Sequence, residues 1–379
     1  MDYIIILTSI LYILYLFYEA YQNDKNRRKI KHLIHVNGTR GKSSTSRLIE
    51  AGLRSGEHKI FCKTTGTKPS IIDVNGVERS IVRKSGPNIK EQIRVLKQAA
   101  KQQADIAIIE CMAVKPELQY ITQNKILKAD ISIVTNVRRD HLEEMGPTLE
   151  NVAIALGNVM PQNGYFIIGE DKFLDYYTEL GRQRNTKVLL AEKLDEDLGI
   201  DFKENVEIAL EICKLFGVDK KSALERMKKY KKAPGVLKIY QISTKGKNIV
   251  QFINGFAIND PDSIKIIYNE LRAQGVFENK ELILLVNNRR DRPYRVKQHI
   301  EIVEYIKPDK VWITGDYKGL MRKYICRKGF DKEKIRVISK IDNMNVDYLE
   351  KNSVIFAIGN IVGNGERILK YIEEIGDAV

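Results

Sequence analysis

The chain opens on one long apolar stretch and then settles into short apolar runs separated by polar, helix-compatible segments. From Tyr3 to Tyr18 no residue is charged, Ile, Leu and Tyr dominate, and only Thr8 and Ser9 interrupt. An apolar run without a polar face predicts a membrane-spanning helix, at the short end of the usual ~17–25 residues unless Ala20 and Tyr21 join the interface. Downstream, Leu33 to Val36, Lys59 to Cys62, Ile106 to Ile109, Ile131 to Val134, Tyr165 to Ile168 and Val188 to Ala191 are continuous apolar runs. Runs that do not alternate predict buried strands of a parallel sheet covered on both faces. Lys42 to Gly56, Asn88 to Gln103, Val206 to Phe216 and Lys221 to Lys229 have helical character. The stretch from Lys63 to Pro69 is too rich in Gly and Thr to continue a strand and predicts a loop. Lysines from Lys228 to Lys232, followed by Pro234-Gly235, predict a domain boundary. Beyond it, strand-like Ile249 to Ile253, Leu282 to Val286, Lys310 to Thr314 and Val354 to Ile358, with helical Ser263 to Gln274, predict a second α/β domain. The expected organisation is an anchor and basic linker over residues 1–31, one α/β domain over 32–232 and another over 233–379.

Length and composition change this picture little. The 379 residues are long enough for two or three domains and, at 43% hydrophobic and 30% charged, make a small binding module or a disordered chain an unsuitable class. Charge adds orientation. Lys25, Arg27, Arg28, Lys29 and Lys31 follow the apolar run instead of preceding it, and no small-residue cleavage site is evident, so the run predicts an anchor and not a secretory signal. By the positive-inside rule everything after Asp24 is cytoplasmic, at the inner face of the cell membrane. The net charge of +14 is spread along the chain without interleaved aromatics, which argues against nucleic acid and suits an anionic membrane or an anionic substrate. Cys62, Cys111, Cys213 and Cys326 lack paired spacing, so neither a zinc site nor a disulfide framework is expected.

The candidate chemistry starts at Gly38-Thr39-Arg40-Gly41-Lys42-Ser43-Ser44, placed between a predicted strand and a predicted helix. Glycines in such a loop let main-chain N–H groups converge on phosphate oxygens at a helix N-terminus. A lysine reaches the terminal phosphates, and a hydroxyl binds Mg²⁺. The loop is a shortened form, with Gly38 in place of a glycine at position 37. A magnesium nucleotide needs further ligands, and Glu110 at the end of a predicted strand is suited to be one. Asp140-His141 follows another strand end, which puts His141 in the same predicted crevice as a candidate second-metal ligand. From these residues alone the chain binds a nucleoside triphosphate, with motor, kinase and ligase chemistry all open.

With Thr135-Asn136-Val137-Arg138-Arg139-Asp140-His141-Leu142-Glu143-Glu144-Met145-Gly146 added, the phosphate loop and Glu110 resemble the Mur ligase superfamily of ATP-dependent amide-forming enzymes. Lys63-Thr64-Thr65-Gly66-Thr67, Gly86-Pro87-Asn88-Ile89, Glu91-Gln92, Glu110-Cys111-Met112-Ala113-Val114, Asn254-Gly255-Phe256 and Gly359-Asn360-Ile361 are similar to its poly-γ-glutamate synthase family, nearly end to end. The resemblance implies a phosphate-loop central domain with a parallel-type sheet, a Rossmann-like C-terminal domain and an N-terminal transmembrane helix. It further implies that Lys42 and the loop amides hold ATP, that Ser43 and Glu110 hold one Mg²⁺ and His141 a second, and that Asn136 lies near the base. Asn288, Arg289, Arg290, Asp291 and Arg292 resemble the basic motif of the C-terminal ligase domain. The implied substrates are glutamate and the growing polymer, joined through an acyl phosphate for a capsular or secreted product, and the implied partners are small membrane subunits for synthesis and export. A folylpolyglutamate synthase-like ligase and a nucleotide-driven export motor are the alternatives.

Three positions depart from the wider superfamily. Leu156 stands where many members carry a carbamoylated lysine. Lys238 stands for an arginine that reaches the nucleotide, and an arginine's bidentate geometry is not reproduced by lysine. Gly255 lies near the position of the linker aspartate, with Asp260 as the candidate replacement.

Overall fold

The computed structural model describes residues 2–66, 69–83, 86–231, 237–256, 258, 260–339, 344, 346, 349 and 352–378. Thr67 and Lys68 of the Gly/Thr-rich loop, and residues 232–236 at the expected boundary, lie outside the described residues. The chain divides into two compact units, Met1–Ala233 and Pro234–Val379.

The first unit begins with one helix, α1 (Asp2–Arg27), that carries the apolar run and continues through Lys25. Its upper part is uncovered, with Tyr3, Ile4, Leu11 and Phe17 all exposed, and it is long and apolar enough to cross a membrane. Its last turns are not a free linker. Asn23 is buried and donates to Ile126 O at 2.8 Å, Arg27 pairs with Asp130 at 2.6 Å, Asp24 with Lys128 at 2.7 Å, and Glu19 with Lys90 at 3.3 Å.

Then follow β1 (His32–Asn37), α2 (Lys42–Leu53), β2 (Ile60–Thr64), β3 (Ser70–Ile72), β4 (Glu78–Ser80), α3 (Glu91–Lys101), β5 (Ile106–Glu110) and α4 (Pro116–Ile121). A π-helical turn (Thr122–Leu127) continues α4. The unit is completed by β6 (Ile131–Val134), α5 (Leu142–Met145), α6 (Leu149–Gly157), β7 (Tyr165–Ile168), α7 (Leu174–Gln183), β8 (Lys187–Leu190), α8 (Lys203–Leu215) and α9 (Lys220–Met227). The strands form one sheet in the order β4-β3-β2-β5-β1-β6-β7-β8. From β2 to β8 neighbours are parallel, and β3 and β4 add antiparallel at one edge. Successive strand side chains go to opposite faces. Ile34, Val36, Ile106 and Ile108 pack with α2, α8 and α9, while Leu33, Ala107 and Ile109 pack with α3 and the π-helical turn. Both faces are covered, which is why these strands read as unbroken apolar runs.

Strand β2 runs to Thr64, two residues past the expected end at Cys62. Lys63 pairs in register with Ile109 of β5 and Ile71 of β3, and its fully buried ammonium is neutralised by Glu91 at 3.0 Å. The β3-β4 ribbon that holds this edge has no long apolar run, and no sequence pattern predicts it.

The second unit contains β9 (Lys238–Ser243), β10 (Ile249–Asn254), α10 (Pro261–Ala273), β11 (Glu281–Asn288), α11 (Tyr294–Ile306), β12 (Lys310–Gly315), α12 (Lys318–Arg327), β13 (Ile335–Val337), β14 (Ser353–Gly359), α13 (Asn364–Ile375) and β15 (Asp377–Ala378). Its sheet order is β13-β12-β11-β14-β10-β9-β15, parallel from β13 to β10 and antiparallel at β9 and β15. Helices α10, α11 and α12 cover one face and α13 the other.

Candidate active site

Strand β1 lies between β5 and β6, so the loop that leaves it sits at the centre of the sheet's carboxyl edge. This is the place where open α/β sheets hold ligands. The loop turns on two glycines. Gly38 has φ +128° and Gly41 φ +80°, backbone values that L side chains rarely adopt. A Cβ on Gly38 would overlap Thr135 Oγ1, and one on Gly41 would overlap Asn205 Oδ1, so neighbouring elements close on the loop from two sides. Helix α2 starts directly after Gly41, which has no side chain to cap the first N–H groups. Those groups and the positive end of the helix dipole form a cradle for anionic oxygens.

The residues after β6 hold this loop by its main chain. Asn136 Oδ1 accepts from Arg40 N at 2.9 Å, its Nδ2 donates to Arg40 O at 3.2 Å, and its carbonyl accepts from Thr39 N at 3.0 Å. Thr135 Oγ1 donates to Arg40 O at 2.5 Å, and Thr39 Oγ1 accepts from Arg138 N at 3.0 Å. Asn136 therefore spends both ends of its amide on the loop. Lys42 curls back over it, with Nζ donating to Gly38 O at 2.7 Å and Thr39 O at 3.1 Å. Burial pulls the Lys42 pKa down, and the negative charge of Glu110 opposes that shift. Ser44, next in the helix, is buried.

Glu110 ends β5 and is 2% exposed. Its Oε2 accepts from Ser43 Oγ at 2.8 Å and from Thr65 N at 2.6 Å, while Gln92 Nε2 donates to its carbonyl at 3.2 Å. A hydroxyl and a carboxylate this close, both hard oxygen donors beside the phosphate cradle, fit a divalent cation such as Mg²⁺. His141 sits elsewhere in the crevice. It adopts a left-handed φ of +52°, and its ring lies 3.8 Å from Asp140 Oδ2 and 3.6 Å from Glu143 Oε1. Asp140 in turn pairs with Arg40 at 2.9 Å. Among the described residues no three His, Cys, Asp or Glu side chains converge as a metal site.

Beneath the loop, Asn37 Nδ2 donates to Gln119 Oε1 at 2.7 Å, and His35 Nδ1 pairs with Gln123 Oε1 at 2.8 Å. Burial lowers the His35 pKa to about 4, so the ring is neutral and donates to Gln123. Gln119 and Gln123 stand on α4 and the π-helical turn, and no sequence pattern pointed to them. Asn205 was equally silent, being one asparagine in an ordinary amphipathic helix.

Leu156 is fully buried in α6 among Val134, Val152 and Tyr177, so its position offers no ligand to the crevice. Lys238 and Arg289 belong to the second unit. Lys238 opens β9 opposite Asn254 and is exposed, and Arg289 forks onto Asp291 at 2.9 and 2.7 Å. A side chain at position 255 would meet Ala357 O at 2.6 Å, which explains the glycine there. Asp260 caps α10 by accepting from Ser263 N at 2.8 Å.

Comparison with known proteins decides the family. The Mur ligase middle domain model matches residues 36–225, and the poly-gamma-glutamate synthase CapB C-terminal domain model matches residues 239–375. The chain is 34% identical over 365 residues to the capsule biosynthesis protein CapB of Bacillus anthracis, covering 90% of this chain and 77% of that one. It is 30% identical over 355 residues to the PGA synthase CapB of Bacillus subtilis (strain 168), covering 90% of both. The chain belongs to the CapB family of poly-γ-glutamate synthases. Its fold is that of the Mur ligases. A bifunctional folylpolyglutamate synthase/dihydrofolate synthase from Yersinia pestis c092, complexed with AMPPNP and Mn ion, aligns at a TM-score of 0.68 with 12% identity, covering 93% of this chain and 92% of that one. As a CapB member with a Mur-type phosphate-loop domain, the chain is an ATP-dependent amide ligase.

Proposed function

We infer that this chain joins glutamate into poly-γ-glutamate at the expense of ATP, activating a carboxylate as an acyl phosphate. The observation that carries the chemistry is the juxtaposition of Lys42, Ser43 and Glu110 around a glycine cradle at the central strand end. A carboxylate oxygen of glutamate or of the chain attacks the γ-phosphorus of ATP, the bond to the β,γ-bridging oxygen breaks, and ADP departs. The amine of the next unit then attacks the acyl carbon, inorganic phosphate leaves with one carboxylate oxygen, and the amine proton is lost as the amide forms. The loop amides and Lys42 hold the transferring phosphoryl group and offset its charge. Ser43 and Glu110 would hold Mg²⁺, which supplies further neutralisation of that charge when bound. His141, with Asp140 and Glu143 beside it, is a candidate ligand for a second cation.

No enzyme nucleophile takes part. Cys111 follows Glu110, but burial pushes its thiol up to about 11, which suppresses thiolate at neutral pH. The product is capsular or secreted polymer, made by catalytic units held on the cytoplasmic face of the inner membrane through α1, alongside small membrane subunits. Arg289 and Lys238 act in the second unit toward nucleotide and acceptor. The acyl phosphate is tested with glutamate labelled with ¹⁸O in its carboxylates: one labelled oxygen per amide bond must appear in inorganic phosphate. Unlabelled phosphate would rule the intermediate out while leaving the ligase assignment standing.

A further inference from the structure

Although the apolar run of α1 has no charged or broad polar face, the few hydrogen-bonding side chains along the helix fall on one line, a stripe that the membrane-anchor role does not use. Thr8, Tyr12, Tyr15, Glu19, Gln22 and Asn26 follow one another at spacings of four, three, four, three and four residues. At about 100° per residue this pattern stays on one side of a helix, and it is the repeat by which helices pack side by side. The lower half of the stripe is covered. Glu19, Gln22 and Asn26 are half-buried against the catalytic unit, with Asn23 buried beside them and Glu19 paired with Lys90. The upper half is open, with Tyr12 61% and Tyr15 54% exposed.

From Tyr3 to Tyr21 the helix rises about 28 Å, close to the hydrocarbon thickness of a bilayer, and Tyr12 falls at its middle. Tyrosines of membrane helices gather at the two interfaces, where the hydroxyl reaches water. A phenol at mid-depth cannot. Thr8 satisfies its hydroxyl within the helix, donating to Ile4 O at 2.8 Å and Ile5 O at 2.9 Å. A phenol cannot fold back onto its own helix in that way, so Tyr12 and Tyr15 need acceptors from outside.

We propose that Thr8, Tyr12 and Tyr15 form the seat of a membrane-spanning helix from a partner with little mass on the catalytic side, its polar groups accepting from the two phenols. The proposal rests on the reading that α1 crosses the membrane. The covered lower half selects the partner: a second copy running parallel on this stripe would have to place its own catalytic unit where the first already stands. A short membrane protein meets no such obstacle.

The test is photo-cross-linking of the full chain in its native membrane, with p-benzoylphenylalanine replacing Tyr12 or Tyr15 and, on the opposite side, Ile10 or Phe17 as controls. The expected result is one discrete adduct from positions 12 and 15 alone, identified by mass spectrometry as a small protein with its own membrane-spanning segment. The double substitution Tyr12→Phe/Tyr15→Phe should lower co-purification of that protein about tenfold, with ATP turnover in detergent unchanged. Adducts between two copies, adducts with lipid alone, or equal labelling from all four positions would overturn the proposal. Release of the unsubstituted chain by alkaline carbonate would instead overturn the membrane-spanning reading itself.

Discussion

Lys42 and Cys111 make opposite predictions about the same crevice. Lys42 Nζ is folded onto the carbonyls of Gly38 and Thr39, within the loop proposed to hold the phosphates. Lys42→Ala should lower glutamate-dependent ADP formation by about 100-fold or more, as expected when a charge-stabilising group is lost, while the protein stays in the membrane. Cys111→Ser should retain activity in the same assay, because a buried thiol with its pKa at about 11 offers no nucleophile. Complete loss in a folded Cys111→Ser protein that still binds ATP would reopen a thioester route. At this scale the sequence disclosed the residues that are chemically unusual for their place: a lysine after a glycine turn, and a carboxylate ending an apolar run. It concealed residues whose role is purely geometric. Asn136 holds Arg40 by its main chain, and Asn205, Gln119 and Gln123 act through contacts that no local pattern encodes.

The central strands were legible because a parallel strand covered on both faces has no polar alternation to dilute its signal. Those of the first unit fall within a residue or two of their expected ends. The edge ribbon β3-β4 and the π-helical turn were not, since the former is half exposed and the latter differs from an α-helix only in hydrogen-bond register. The apolar run is helical as expected, but the helix extends beyond it. Residues 19–27 continue α1 and dock on the catalytic unit through Asn23 and Arg27. This separates two truncations. Removing residues before Glu19 should release the protein from the membrane with its thermal midpoint nearly unchanged. Removing residues before Lys25 also deletes the buried Asn23 contact and should cost about 1–3 kcal/mol, read as a lower midpoint in thermal or urea unfolding. Equal stability of the two would show that the docking contributes nothing.

For the whole molecule, membership in the CapB family and the Mur ligase fold converge on one reaction, and the first unit supplies a nucleotide cradle positioned at the switch point of its sheet. A motor built on the same loop would hydrolyse ATP whether or not glutamate is present. The decisive measurement is ATP consumption by membranes carrying the full chain and the small membrane subunits proposed to accompany it, with and without glutamate, together with analysis of the product. The account predicts ADP and phosphate formed only with glutamate, in step with an acidic, protease-resistant polymer of γ-linked residues, and neither with Lys42→Ala. Glutamate-independent hydrolysis without polymer, or polymer made by the Lys42→Ala protein, would contradict it.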